Sequence, residues 1–145
     1  MAKLLTDAHR LLLSRVGQMS RLMGQVLERK LHPLGITYQE MRIVGLLMGE
    51  DAITQKDLAE KLSVRAPTLS VAVSKLEVQG LVTRVPSPKD KRANFLRLNK
   101  SPLITQVDEL VQQMESKATE GISERDLKTT AKVLAHIIEQ LKTAD

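Results

Sequence analysis

The sequence predicts a mainly α-helical chain with one small β-hairpin. Two observations carry this. Apolar residues recur at spacings of three and four along most of the 145 residues, and only between Leu81 and Leu98 does the pattern change to two short strand-like runs. The length is that of one domain, long enough to bury a sizeable core.

The elements follow in order. From Lys3 to about Leu31 the residues Leu4, Leu5, Ala8, Leu11, Leu12, Met19, Leu22, Met23, Val26 and Leu27 form the stripe of a long amphipathic helix. His32-Pro33-Leu34-Gly35 stops it, because proline lacks the N–H and disfavours helix in the residue before it. Thr37, with Glu40 three residues on, has the spacing of a capping box and starts a second helix on Met41, Val44, Leu47 and Met48. Thr54 and Asp57 repeat the signature, and Leu58, Ala59 and Leu62 place a third, short helix at about 55 to 62. Ser63 to Ala66 is a turn. Pro67 suits the first turn of a fourth helix that buries Leu69, Val73 and Leu76 and stops at Gly80.

Residues 81–85 and 94–98 then read as two strands around the polar loop 86–93. Asn99 or Ser101 can cap a fifth helix with Pro102 in its first turn, running to about Glu120. Gly121 breaks it. Ser123 and Asp126 again have capping spacing, and Leu127, Ala131, Leu134, Ile138 and Leu141 carry a sixth helix to about Lys142 at close to a 3.5-residue period.

Two short helices joined by a four-residue turn and followed by a hairpin make a winged helix-turn-helix, here residues 34–100. The outer segments, 1–33 and 101–145, have more apolar length than one small domain can cover. They are expected to form a helical dimerisation region against a second copy of the chain.

Charge separates the two regions. Residues 54–100 hold ten basic side chains against four acidic ones, whereas the rest holds twelve against thirteen, so the whole excess of the +5 chain lies in one contiguous third. That is the layout of a phosphate-facing module on a scaffold. With Tyr38 and Phe95 as the only aromatics there is no platform for stacking unpaired bases, which leaves duplex DNA as the nucleic-acid partner. The absence of cysteine excludes disulfides, thiolate metal sites and thiol-based oxidant sensing. No apolar run is long enough for a membrane span, and a cytoplasmic protein is expected. His9, His32 and His136 are far apart and read as surface or interface residues, so neither metal nor cofactor is expected. No nucleophile elbow or phosphate-cradling glycine loop is present, and an enzyme is not expected.

In a winged helix-turn-helix the second short helix enters the major groove. With Leu69, Val73 and Leu76 inward, Pro67, Thr68, Ser70, Val71, Ser74 and Lys75 face outward. Thr68, Ser70 and Ser74 can hydrogen-bond phosphates or base edges, Val71 can meet a thymine methyl, and Arg65 in the turn can reach a base edge or phosphate. Paired recognition helices in a dimer call for a palindromic site.

Several stretches carry a family resemblance: Leu34-Gly35-Ile36-Thr37, Gln55-Lys56-Asp57-Leu58-Ala59, Leu76-Glu77-Val78-Gln79-Gly80-Leu81-Val82-Thr83-Arg84, and Asp90-Lys91-Arg92 with Leu96-Arg97-Leu98. Together they resemble the MarR (multiple antibiotic resistance regulator) family over nearly the whole chain, most specifically at the "LExxGLVxR" junction and the wing's "DxR". The resemblance implies a homodimeric DNA-binding transcription regulator, often a repressor, frequently released by small anionic or aromatic ligands. It also implies that Arg92 enters the minor groove and that Asp90 orients an arginine, with Arg84, Lys89 and Lys91 completing the DNA-facing set. Such families commonly have aspartate where Ser87 stands, a departure that bears on the wing's charge and DNA grip. They commonly also have Thr-x-x-Gly where Asn99 to Pro102 stand, where Asn99 and Pro102 are themselves good residues for a helix start. Arg15, Met19, Met23, Met41 and Met48 are candidates for a pliable effector pocket, with plain core as the alternative for the methionines. Two other functions remain open at this stage, a ligand-independent architectural DNA binder and a winged-helix module that binds protein.

Overall fold

The computed structural model describes residues 7–49, 53–87 and 94–144, except for the side chains of residues 7–10. Its elements are α1 (Asp7–Leu31), a 3₁₀ turn (His32–Leu34), α2 (Tyr38–Met48), β1 (Ile53–Thr54), α3 (Gln55–Leu62), α4 (Ala66–Val78), β2 (Val82–Pro86), β3 (Asn94–Leu98), α5 (Pro102–Ala118) and α6 (Glu124–Lys142). The chain forms two compact units, one up to Val111 and one from Gln112.

In the first unit the stop after α1 is the expected one. Pro33 lies in the 3₁₀ turn, and Gly35 takes a left-handed conformation at φ 71°, which a residue without Cβ adopts at no steric cost. Thr37 caps α2 by accepting a hydrogen bond from the Glu40 N–H at 3.1 Å, and Thr54 caps α3 from Asp57 N–H at the same distance. The core gathers Leu27 and Leu31 from α1, Ile43, Val44 and Leu47 from α2, Leu58 and Leu62 from α3, and Leu69, Val73 and Leu76 from α4. Leu81, Val82 and Leu96 extend it beneath the sheet, and Ile104 and Val107 of α5 close it. The stripe expected on α2 needs one correction. Ile43 is buried while Met48 is 48 % exposed, because an apolar stripe on an eleven-residue helix leaves the phase of its last turn free to drift.

The wing is more than a hairpin. β3 pairs antiparallel with β2, Leu96 opposite Arg84 and Leu98 opposite Val82, and also with β1, Leu96 opposite Ile53. The sheet order is therefore β1-β3-β2, with a third strand not anticipated from the sequence. Two residues cannot display a period of two, so β1 gives no pattern to read. Ser101, not Asn99, caps α5, accepting from Leu103 N–H at 3.2 Å. Asn99 instead bridges the base of the wing: its amide donates to the Gly80 carbonyl and its side-chain oxygen accepts from Thr83, both at 2.8 Å.

The first half of α1 leaves Leu11, Leu13, Met19 and Leu22 about half exposed. The second unit holds the end of α5, a turn at Gly121 with φ 82°, and α6 capped by Ser123, whose hydroxyl accepts from Asp126 N–H at 3.1 Å. Leu127 and Leu134 are half-buried there, whereas Ala131, Ile138 and Leu141 of the same stripe are exposed. Among the described residues no helix is long and apolar enough to cross a membrane.

Candidate nucleic-acid interface

The site is built on α4 and held from α2. Between α3 and α4, Ser63 adopts φ 53°, a left-handed turn that ends α3, and Arg65 is extended just before α4 begins with Pro67 in its first turn. Leu69, Val73 and Leu76 are fully buried, which fixes the rotation of the helix. Pro67, Thr68, Val71 and Ser74 consequently stand exposed and Ser70 is half-buried, as the sequence predicts. Arg65 is exposed at the entrance to α4 and, with Lys56 of α3, borders a cleft that reaches Asn94 of the wing.

Val71 is 73 % exposed. An apolar side chain projecting from the reading face has most of its surface still to bury, so it gains on contact with an apolar partner.

Two of the predicted contact residues are also ion-paired within the protein. Lys75 Nζ donates to Glu40 Oε1 of α2 at 2.8 Å, and Glu40 is almost wholly buried. Arg84 Nε on β2 donates to Glu77 Oε1 of α4 at 2.6 Å, while its other end donates to Ser74 Oγ at 3.3 Å. Both cations join one element to another, with Lys75 still half exposed. Lys89, Asp90, Lys91 and Arg92 lie outside the described residues.

Further bonds lock the helix-turn-helix together. Arg42 of α2 donates to the Leu62 carbonyl at 3.1 Å and so satisfies the last turn of α3, and Gln79 donates to the Gly35 carbonyl at 3.2 Å. Glu40 is the residue whose role the sequence hides. Its place three residues after Thr37 signals a capping box, yet its Oε1 goes to Lys75 and its Oε2 is buried without a partner. The pair is 35 residues apart in sequence, a separation that carries no local signal. Glu77 and Arg84 are only seven apart and both lie in the junction motif quoted above.

Arg15, Met19 and Met23 are exposed on α1 and Met41 is half-buried. Met48 borders a cleft beside Leu98, Ser101 and Pro102. Among the described residues no group of histidines and carboxylates could hold a metal ion.

A family model described as MarR family matches residues 34–93, the segment from the end of the 3₁₀ turn through α2, α3, α4 and β2 into the wing. Residues 34–93 carry the MarR-family match. Solved structures extend the likeness to the flanking helices. MepR of S. aureus in its DNA complex is 26 % identical with a TM-score of 0.73, over 88 % of this chain and 96 % of that one. A mutant of MarR from E. coli complexed with operator DNA is 25 % identical with a TM-score of 0.72, over 89 % and 95 %. A MarR transcriptional regulator from Methanosarcina mazei Go1 shares the fold at a TM-score of 0.81 and 21 % identity, over 93 % and 99 %. The MarR-family fold thus covers α1, α5 and α6 as well as the winged lobe.

Proposed function

We propose that this chain is a homodimeric, sequence-specific MarR-family regulator of transcription that binds palindromic duplex DNA, acting as a repressor that a small anionic or aromatic ligand releases. The observation that carries the DNA-binding part is the face of α4: Thr68, Ser70, Val71 and Ser74, four outward side chains suited to base edges, on a helix whose rotation is fixed by three fully buried ones. The DNA complexes solved for MepR and for the E. coli MarR mutant support the same use of the fold.

Within this reading Pro67, Thr68, Ser70, Val71 and Ser74 face the major groove, Arg65 meets a phosphate or base edge, and Lys89, Lys91 and Arg92 of the wing, with Asp90 orienting an arginine, engage the backbone and minor groove. Lys75 and Arg84 are paired with Glu40 and Glu77. The half-exposed apolar side chains of α1 and the exposed ones of α6 support dimerisation, because an unpartnered stripe on each of two long helices gains from burial against a second copy. A chain of this kind works in the cytoplasm.

The deciding experiment is recovery of genomic fragments bound by the purified chain, followed by titration of the recovered site. A palindrome is expected. With about six to ten phosphates neutralised per dimer, affinity should fall by roughly 10³ to 10⁵ between 50 and 200 mM salt. Failure to retain any duplex at low salt would point to a protein-binding winged helix. Loss of the complex on adding aromatic acids would establish the ligand-released arm.

A further inference from the structure

Both cations beside the reading face of α4 are already paired with acids of the protein. Lys75 Nζ lies 2.8 Å from Glu40 Oε1, with side chains 50 % and 3 % exposed respectively. Arg84 Nε lies 2.6 Å from Glu77 Oε1. The Glu40 pair is the tighter constraint, since its second carboxylate oxygen is buried without a hydrogen bond. A buried carboxylate left so poorly solvated depends on its counter-charge staying in place, and Lys75 is therefore held toward α2. The outward side chains of α4 that remain, Pro67, Thr68, Ser70, Val71 and Ser74, are all neutral.

We propose that Glu40 and Glu77 are specificity-determining residues, internal counter-charges that withdraw Lys75 and Arg84 from the phosphates so that α4 reads DNA with neutral groups alone. The inference rests on the DNA-binding reading above. Its physical reason lies in what charge does at an interface of this kind. A free cation on the reading face strengthens binding to every sequence through counterion release, and so helps the many competing non-specific sites as much as the correct one. Neutral donors and methyl groups act only where the base edge matches. Cancelling the two cations leaves the phosphate attraction to Arg65 and the wing, at the margins of the helix, and keeps the centre selective. Glu40 and Glu77 touch no DNA in this scheme. They act through the side chains they hold.

The test uses the full chain and a mixed-sequence duplex, with affinity measured across a salt series from about 50 to 200 mM. Freed of its partner, Lys75 in Glu40→Gln adds one cation per subunit, so the slope of log K against log[salt] should steepen by about 0.9 for each subunit bound. That is about 3.5-fold more affinity lost per subunit over the series, or about 12-fold for two. Glu77→Gln should do the same through Arg84. The double variant Glu40→Gln with Lys75→Gln should return to the wild-type slope, which a merely loosened helix would not do.

Circular dichroism decides whether Glu40→Gln has folded. If it has not, Glu77→Gln decides by the same two outcomes, because Glu77 is about one-third exposed and its loss leaves the core intact. Wild-type slopes in the folded single variants, or a double variant that stays steep, overturn the inference while leaving DNA binding standing. A wild-type chain that binds no duplex at the lowest salt overturns the DNA-binding reading, and the inference with it.

Discussion

Val71→Ala separates reading from folding more cleanly than any charged substitution. Val71 is 73 % exposed on α4, so about three-quarters of its surface is available to a thymine methyl or other apolar part of the groove. Truncation to alanine removes two methyl groups. At about 0.8 kcal/mol for each buried carbon, scaled by the exposed share, the lost contact is about 1.2 kcal/mol per recognition helix. This corresponds to about 8-fold in operator affinity for one helix and roughly 60-fold for a dimer engaging two. Stability should move the other way. Alanine is the better helix former by up to about 0.6 kcal/mol at an exposed position, so the thermal midpoint should rise by roughly 1 to 3 °C. Because no charge changes, the salt slope should match wild type. The assay is titration of the recovered operator and of a mixed-sequence duplex, beside a thermal melt. Operator affinity equal to wild type would refute the placement of Val71 on the reading face, and equal losses on both duplexes would refute its role in selecting sequence.

The other predictions concern charge, the wing and assembly. Arg65→Ala should weaken binding to all duplexes alike and lower the salt slope by about 0.9 per subunit, measured in the same titrations, with the melting midpoint unchanged. Arg92→Ala, in the polar loop that the sequence predicts at 86–93, should reduce operator affinity strongly with little effect on the melt; wild-type binding would remove Arg92 from the interface. Leu22→Asp places a charge on the half-exposed apolar face of α1 and should convert dimer to monomer in sedimentation, while far-ultraviolet circular dichroism keeps its helical shape.

The elements were legible because each carries its own local chemistry. Thr37, Thr54 and Ser123 each accept the N–H three residues on, and Gly35, Gly80 and Gly121 take positive φ where a helix or turn must end. The rotation of α4 followed from Leu69, Val73 and Leu76 alone. What escaped was non-local. β1 is too short to have a pattern, and its pairing of Ile53 with Leu96 spans more than forty residues. Lys75 faces outward by helical phase and Arg84 shares a strand face with buried Val82, and only the fold brings Glu40 and Glu77 within reach of them. Asn99 could be read as a cap because its residue type suits one, but Gly80 and Thr83 lie closer to hand once the hairpin has formed. Pattern reading assigns a residue to a face; it does not identify the partner that occupies that face.

The same internal bonds bear on how a ligand could release the DNA. Glu40 and Arg42, two positions apart on α2, hold α4 through Lys75 and α3 through the Leu62 carbonyl. The two short helices are thus both bonded to α2. Separating them would break the Lys75–Glu40 pair and leave the buried Glu40 carboxylate without its counter-charge. Allosteric coupling is typically about 1 to 3 kcal/mol, enough to weaken binding about 5- to 150-fold. A ligand acting within that range can leave α4 seated and change only the spacing between the two lobes of a dimer, since it need only favour the mismatched spacing by its difference in affinity. With no cysteine in the sequence, thiol oxidation is not available as the trigger of the release proposed above.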